Sequence, residues 1–160
     1  MATLKTVGVD DYLNELTAIQ NNSAKIAGKM VYKGAGIVAD AVKQRISQIP
    51  ERTSEENGRA RGVTDAERNG LIEGLGISRM RSDEGFFNVK IGFDGYNSYV
   101  TKAYPKGHPN SMVARTVESG TSWLQKTPFI SPAVSSTRSA AEKEMEKIFD
   151  DSINKATNRR

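Results

Sequence analysis

The chain has no cysteine and a single histidine, His108. Without thiols, disulfides and thiolate metal sites are both excluded. One histidine between Gly107 and Pro109, with no spaced carboxylates to accompany it, does not make a metal site. Aromatic residues are scarce at 7%, with one tryptophan, Trp123. No apolar run approaches the roughly 20 residues that cross a bilayer, and the N-terminus lacks the apolar centre of a signal peptide. No Gly-x-Ser-x-Gly nucleophile elbow occurs, and no phosphate loop ending in Gly-Lys-Ser/Thr. Gly70, Gly74 and Gly76 come in series, but they neither follow a strand nor match dinucleotide-binding spacing; a turn and a twisted strand account for them. Asp83 and Glu84 read as solvated acids on a turn. The expectation is a protein that is not an enzyme, with no cofactor and no metal.

What is present fits one domain over residues 1–160, long enough to bury a core without staples. At 37% hydrophobic residues and a mean hydropathy of −0.54, the chain is polar for its size. Twenty-three basic residues face 19 acidic ones, for a net charge of +4. Such a balance describes a mixed solvated surface. The alternative is a basic nucleic-acid-binding module using Lys25, Lys29, Lys33 and the Arg52–Arg68 stretch, whose mark is steep loss of affinity with salt.

Residues 1–8 show no period and read as an arm. Asp10 and Asp11 can cap a helix whose stripe is Val9, Tyr12, Leu13, Leu16 and Ile19. Asn21-Asn22-Ser23 is expected to break it, and Ser23 to cap a second, long helix ending at Ile49-Pro50. On that helix Lys25, Lys29, Lys33, Asp40 and Lys43 share one face, and Ile26, Met30, Ile37, Val38, Ala41 and Val42 the other. Gly34 sits on the apolar face, where close packing explains it. Residues 51–69 offer almost nothing to bury and are expected to form a long polar loop. Leu75 and Ile77 alternate as a strand, and Phe87, Val89, Ile91 and Phe93 as a clearer one, the two forming an antiparallel hairpin across the turn at Ser82–Gly85. Tyr99–Ala103 is a candidate third strand, and residues 104–110 an irregular loop.

The stretch Met112–Ala133 organises the rest. Met112, Val113, Thr116 and Val117 have helical spacing, and Gly120 is placed to stop that helix. Trp123 lies in a short linker, and Ser131 as a capping residue with Pro132 at the first helical position opens a last helix to about Thr157, with Asn158-Arg159-Arg160 as a frayed end. Its apolar stripe is Val134, Thr137, Ala141, Met145, Ile148 and Ile153. Arg115 and Glu118, three apart, either pair with each other or face a neighbour. Trp123 and Phe129 are either core or interface residues. The predicted fold is α+β: a small antiparallel sheet packed by a long helix and a C-terminal helix, with an N-terminal helix.

Within this stretch, Ala114-Arg115-Thr116-Val117-Glu118-Ser119-Gly120-Thr121-Ser122 followed by Lys126-Thr127-Pro128-Phe129-Ile130-Ser131-Pro132-Ala133 resembles the small head-to-tail joining and tail completion proteins of long-tailed bacteriophages. That family carries an Ala-Arg-aromatic-Val-Glu-aromatic-Gly-Thr run before Pro-Phe-Leu-Arg-Pro-Ala. Thr116 and Ser119 stand here for the aromatics, and Ser131 for the arginine. Pro50-Glu51-Arg52-Thr53 resembles the family's corner after its long helix, and Gly70–Ile77 the segment that usually follows directly, so about fifteen residues look inserted between them. The resemblance covers about residues 24–150. It implies a structural virion protein, a homo-oligomeric ring and usually a hexamer, that closes the tail tube and docks it to the head connector or stopper protein. DNA would pass through the channel without sequence-specific binding, and no membrane is involved. The resemblance places Arg115 and Glu118 near a subunit contact; with the aromatics Trp123 and Phe129 they make up the candidates for a subunit or partner interface.

Overall fold

A computed structural model describes residues 9–56 and 58–157. The expected arm at 1–8 and frayed end at 158–160 lie outside the described residues. The order is α1 (Val9–Gln48), β1 (Thr53–Glu56), β2 (Arg59–Arg61), α2 (Asp65–Gly74), β3 (Leu75–Ile77), β4 (Arg81–Asp83), β5 (Phe86–Asn88), β6 (Ile91–Phe93), α3 (Asn110–Ser119) and α4 (Ile130–Thr157). The class is α+β, as predicted.

Two predicted helices are one. α1 runs unbroken through Asn21-Asn22-Ser23. Polar side chains of this region bond back to the preceding turn instead of capping a new one: Thr17 Oγ1 donates to Leu13 O at 2.8 Å and Asn22 Nδ2 to Ala18 O at 2.8 Å. α4 lies antiparallel along α1, so tertiary packing holds a helix that local propensity would interrupt. At Gly34 the two helices pack closely. A Cβ at that position would lie 2.6 Å from Met145 Sδ and 2.9 Å from Met145 Cγ, so the missing side chain is the space Met145 fills.

Within the expected loop at 51–69 the described residues include two strands and the start of a helix. β1 and β2 pair antiparallel, with Thr53 opposite Arg61, and α2 begins at Asp65. Thr64 and Glu67 form a capping box. The Glu67 amide donates to Thr64 Oγ1 at 3.3 Å, and the Thr64 amide to Glu67 Oε2 at 2.9 Å. The same carboxylate, 3% exposed as a residue, takes Arg52 Nη2 at 2.8 Å. Arg68 reaches back and donates through Nη1 to the carbonyls of Ile46, Ser47 and Ile49, the last at 2.6 Å. A cation therefore satisfies the orphan carbonyls at the negative end of α1. A segment with few apolar side chains is held largely by charge and backbone pairing, with Val63 as its one fully buried apolar anchor among the described residues.

Among the described residues the β structure is three short antiparallel ribbons: β1–β2, β3–β6 and β4–β5. The last two are inner and outer halves of the predicted hairpin. Leu75, Gly76 and Ile77 face Phe93, Gly92 and Ile91, and Arg81–Asp83 face Asn88–Phe86. The strand expected over 87–93 is interrupted at Val89-Lys90. Ser78 bridges the break, its amide donating to Lys90 O and its hydroxyl accepting the Lys90 amide, both at 2.8 Å. Glu84 (φ 51°) and Gly85 (φ 86°) close the tip with the two positive φ values a two-residue hairpin loop needs. Tyr99–Ala103 is not a strand. Thr101 and Tyr104 exchange backbone bonds in a tight turn, and Asn97 Oδ1 accepts the amides of Tyr99 and His108. His108 lies half-buried edge-on to Tyr99 and Tyr104, a packed loop residue.

The core gathers at the C-terminal end of α1: Val42, Ile46 and Ile49, with Val63, Leu71, Val113, Ala114, Val117, Leu124, Phe129 and Ala133. Burying each larger side chain contributes about 1.5–3 kcal/mol. α2, β3, β6, α3 and the start of α4 all deliver residues to this cluster or pack against it, whereas the β4–β5 ribbon stays outside, and the cluster fixes the bend that carries the candidate interface.

Candidate subunit or partner interface

α3 buries Val113, Ala114 and Val117, and its end is set by Gly120 (φ 74°), whose amide donates to Thr116 O at 2.8 Å. The stop predicted at this glycine is present. A Cβ there would meet Lys126 N at 3.0 Å and Lys126 Cβ at 3.1 Å, so both the backbone angle and the space favour glycine.

The bend that follows is stitched on both sides. Thr121 Oγ1 accepts the Leu124 amide at 3.0 Å, and the Thr121 amide donates to Leu124 O at 2.9 Å. Ala60 of β2 donates to Trp123 O at 2.9 Å and accepts from the Gln125 amide at 2.8 Å, and Arg59 Nε donates to Ser122 O at 2.9 Å. The β1–β2 ribbon, expected to be a loop, is thus the buttress of the bend. Where it meets the bend, a cleft of about 240 Å³ is lined by Arg59, Ser119, Gly120, Thr121, Leu124 and Lys126.

The four residues singled out from the sequence divide into two pairs. Phe129 is 2% exposed and packs edge-on against Phe93, with ring centroids 6.0 Å apart. It is a core residue, and its ring is not available to a partner. Glu118 is also committed to the fold. Its Oε2 accepts the amides of Phe129 at 2.7 Å and Ile130 at 2.8 Å, and its Oε1 the amide of Ser131 at 2.9 Å and the Ser131 hydroxyl. Helix α4 begins at Ile130, so this carboxylate caps it from another element, in place of the Ser131 cap expected. Burial pushes the Glu118 carboxyl up, but the Ser131 hydroxyl and the amides of Ile130, Ser131 and Phe129 outweigh it and hold the group below its ordinary value. The Arg115–Glu118 pair is not formed.

Arg115 and Trp123 remain at the surface. Arg115 is exposed on α3 and joins neither of the ion pairs formed among the described residues, Arg52–Glu67 and Arg138–Glu142. Trp123 is 51% exposed, with the Arg52 guanidinium 5.9 Å from its ring centroid. Arg52, pinned by Glu67 and set against the indole, is the contributor the sequence reading missed. No local spacing joins residues 52, 67 and 123; the Thr-x-x-Glu at 64–67 is the one signal that could have marked a helix in the segment read as a loop. A rigid aromatic beside an arginine, with a basic cleft nearby, is the composition of a protein-contact surface.

Among the described residues no group of three His, Cys, Asp or Glu could hold a metal ion, and no helix is long and apolar enough to cross a membrane. Comparison with protein-family models, with curated proteins and with solved structures finds no match in any of the three.

Proposed function

We propose that this chain is a structural subunit at the junction of head and tail in a long-tailed bacteriophage, closing the tail tube and docking it to the head connector. The observation that carries the reading is the behaviour of the two resembling motifs, 114–122 and 126–133, as one unit. Glu118 of the first motif caps the helix that starts in the second. Phe129 of the second sits in the core that Val113, Ala114 and Val117 help to build. The paired spacing is therefore a requirement of one locked bend, which presents Arg115 and Trp123 outward.

The mechanism is geometric. Heterologous contacts between copies close into a ring, a hexamer by the resemblance, and the ring leaves a channel for DNA. The locked bend supplies a fixed angle between α3 and α4, so that each copy presents its contact surface in the same orientation. The place of action is the virion, with assembly in the host cytoplasm.

A phage lacking this gene tests the reading. DNA-filled heads and separate tails are expected to accumulate, and purified protein added to the tails is expected to restore joining. Protein carrying Arg115→Glu and Trp123→Ala is expected to fold, since exposed substitutions shift stability by only about 0.5 kcal/mol, and to fail in the joining assay. Normal joined particles from the mutant phage would sink the proposal.

A further inference from the structure

We propose that the cleft between the N-terminal half of α1 and the last turns of α4 is a binding site for a phosphate group. The cleft measures about 220 Å³ and is lined by Ala18, Asn22, Lys25, Ile26 and Lys29 of α1 and by Ser152 and Lys155 of α4. It lies at the opposite end of the helix pair from the core and the bend, and does not depend on the function proposed above.

Three lysines from two elements line this space, and no carboxylate belongs to its lining. The two ion pairs formed among the described residues involve none of the three lysines. Asp150 and Asp151, one turn before Lys155, are exposed and form no ion pair with it. Lysines at i and i+4 repel each other, and Lys155 adds a third like charge across the cleft. An anion lodged among them removes that repulsion.

The donors decide the class of anion. Asn22 Nδ2 and the Ser152 hydroxyl are engaged with Ala18 O and Ile148 O, at 2.8 and 2.6 Å. That leaves the ammonium groups, each with three donors. A planar monocarboxylate presents two oxygens and one charge, and its bidentate geometry suits the arginine fork. A phosphate presents a tetrahedral set of oxygens with up to two charges, which suits point charges arriving from two sides. Ala18 and buried Ile26 give the lysine stems an apolar floor. Lys33 continues the row one turn beyond Lys29, a rise of about 6 Å along α1, so the site is open toward a second phosphate. A small phosphate or nucleotide and the phosphodiester of a nucleic-acid strand share this chemistry.

The test titrates the full chain with two probes at low salt: inorganic pyrophosphate, and a single-stranded oligonucleotide without terminal phosphates. The variant Lys29→Gln/Lys155→Gln is compared with Lys90→Gln/Lys143→Gln, which removes the same charge elsewhere. Losing two charge-assisted contacts is expected to weaken binding by roughly tenfold or more, and the control pair by less than about twofold. Amide shifts on titration of the unmodified chain are expected to be largest at Lys25, Lys29, Ser152 and Lys155, a readout that needs no variant. Cleft dependence for pyrophosphate alone assigns a small phosphate, and cleft dependence for the oligonucleotide assigns a strand. Equal weakening by both variant pairs, amide shifts centred elsewhere, or binding of neither probe overturns the proposal.

Discussion

Replacing Glu118 by alanine removes the one side chain among the described residues that accepts hydrogen bonds from the first amides of α4. The carboxylate takes three amides and a hydroxyl. Loss of an N-terminal cap costs about 0.5–2 kcal/mol, and loss of a negative charge at the positive end of a helix about 0.3–1 kcal/mol more. These overlap, because the same bonds carry both, and a loss of about 2 kcal/mol is expected. For a chain of this length that lowers the unfolding midpoint by roughly 4–8 °C. The pH dependence separates a carboxylate cap from mere packing. The folded-state pKa of Glu118 lies below the ordinary value of 4.5. Above 4.5 the group is ionised in both states and its contribution is complete. As pH falls below 4.5 the unfolded chain takes up the proton first, and the contribution is lost as pH passes through the lower folded value. The stability gap between the natural chain and Glu118→Ala should therefore be constant from pH 7 to about 5 and narrow below that. Glu118→Gln should lose nearly as much as alanine at pH 7, because its NH₂ would confront amide donors. Urea unfolding of the three proteins from pH 7 to 3.5 measures this. A gap under about 0.5 kcal/mol at pH 7, or one that does not change with pH, would refute the reasoning.

Phe129→Ala should cost about 3–5 kcal/mol of stability, as for a fully buried aromatic, and lose joining activity only through unfolding. A stable Phe129→Ala protein that cannot join would return this residue to the interface. Gly34→Ala sets a gain of roughly 1 kcal/mol in helix propensity against overpacking on Met145 of about 1–3 kcal/mol, so a small net loss is expected. In a Met145→Ala background the same substitution should become stabilising, and a double-mutant cycle by denaturant unfolding reads that change of sign.

Periodicity made the long helices, the apolar face of α1, the stop at Gly120 and the antiparallel hairpin legible, because each rests on residues close in sequence. The close approach at Gly34 was legible for the same reason. What escaped was held by partners distant in sequence. Asn21-Asn22-Ser23 reads as a break until α4 is laid beside it. The segment 51–69 reads as a loop because its stabilising groups are charged: Arg52 needs Glu67, and Arg68 needs the carbonyls at the end of α1. Arg115 and Glu118 have the spacing of a helical pair, yet Glu118 turns to amides eleven to thirteen residues ahead, where three bonds outweigh one exposed ion pair. Phe129 and Trp123 could not be told apart by residue type. Only the fold shows that one ring points at Phe93 and the other at solvent.

The reach of α1 has a mechanical consequence. Its 40 residues make a rod of about 60 Å, and its fully buried hold on the core is at Val42 and Ile46. From that grip to Val9 is roughly 50 Å of helix, braced by α4 over much of its length. The pair is a lever whose fulcrum lies beside the bend at Gly120–Phe129. A tilt of about 5° at the fulcrum displaces the far end by roughly 4 Å, more than half a helical turn. A contact made at Trp123 that shifts the bend by that angle would be felt as a movement of roughly 2 Å at the lysine cleft, part-way along the arm, and a load on the arm would return to the bend multiplied in force by the ratio of the arms.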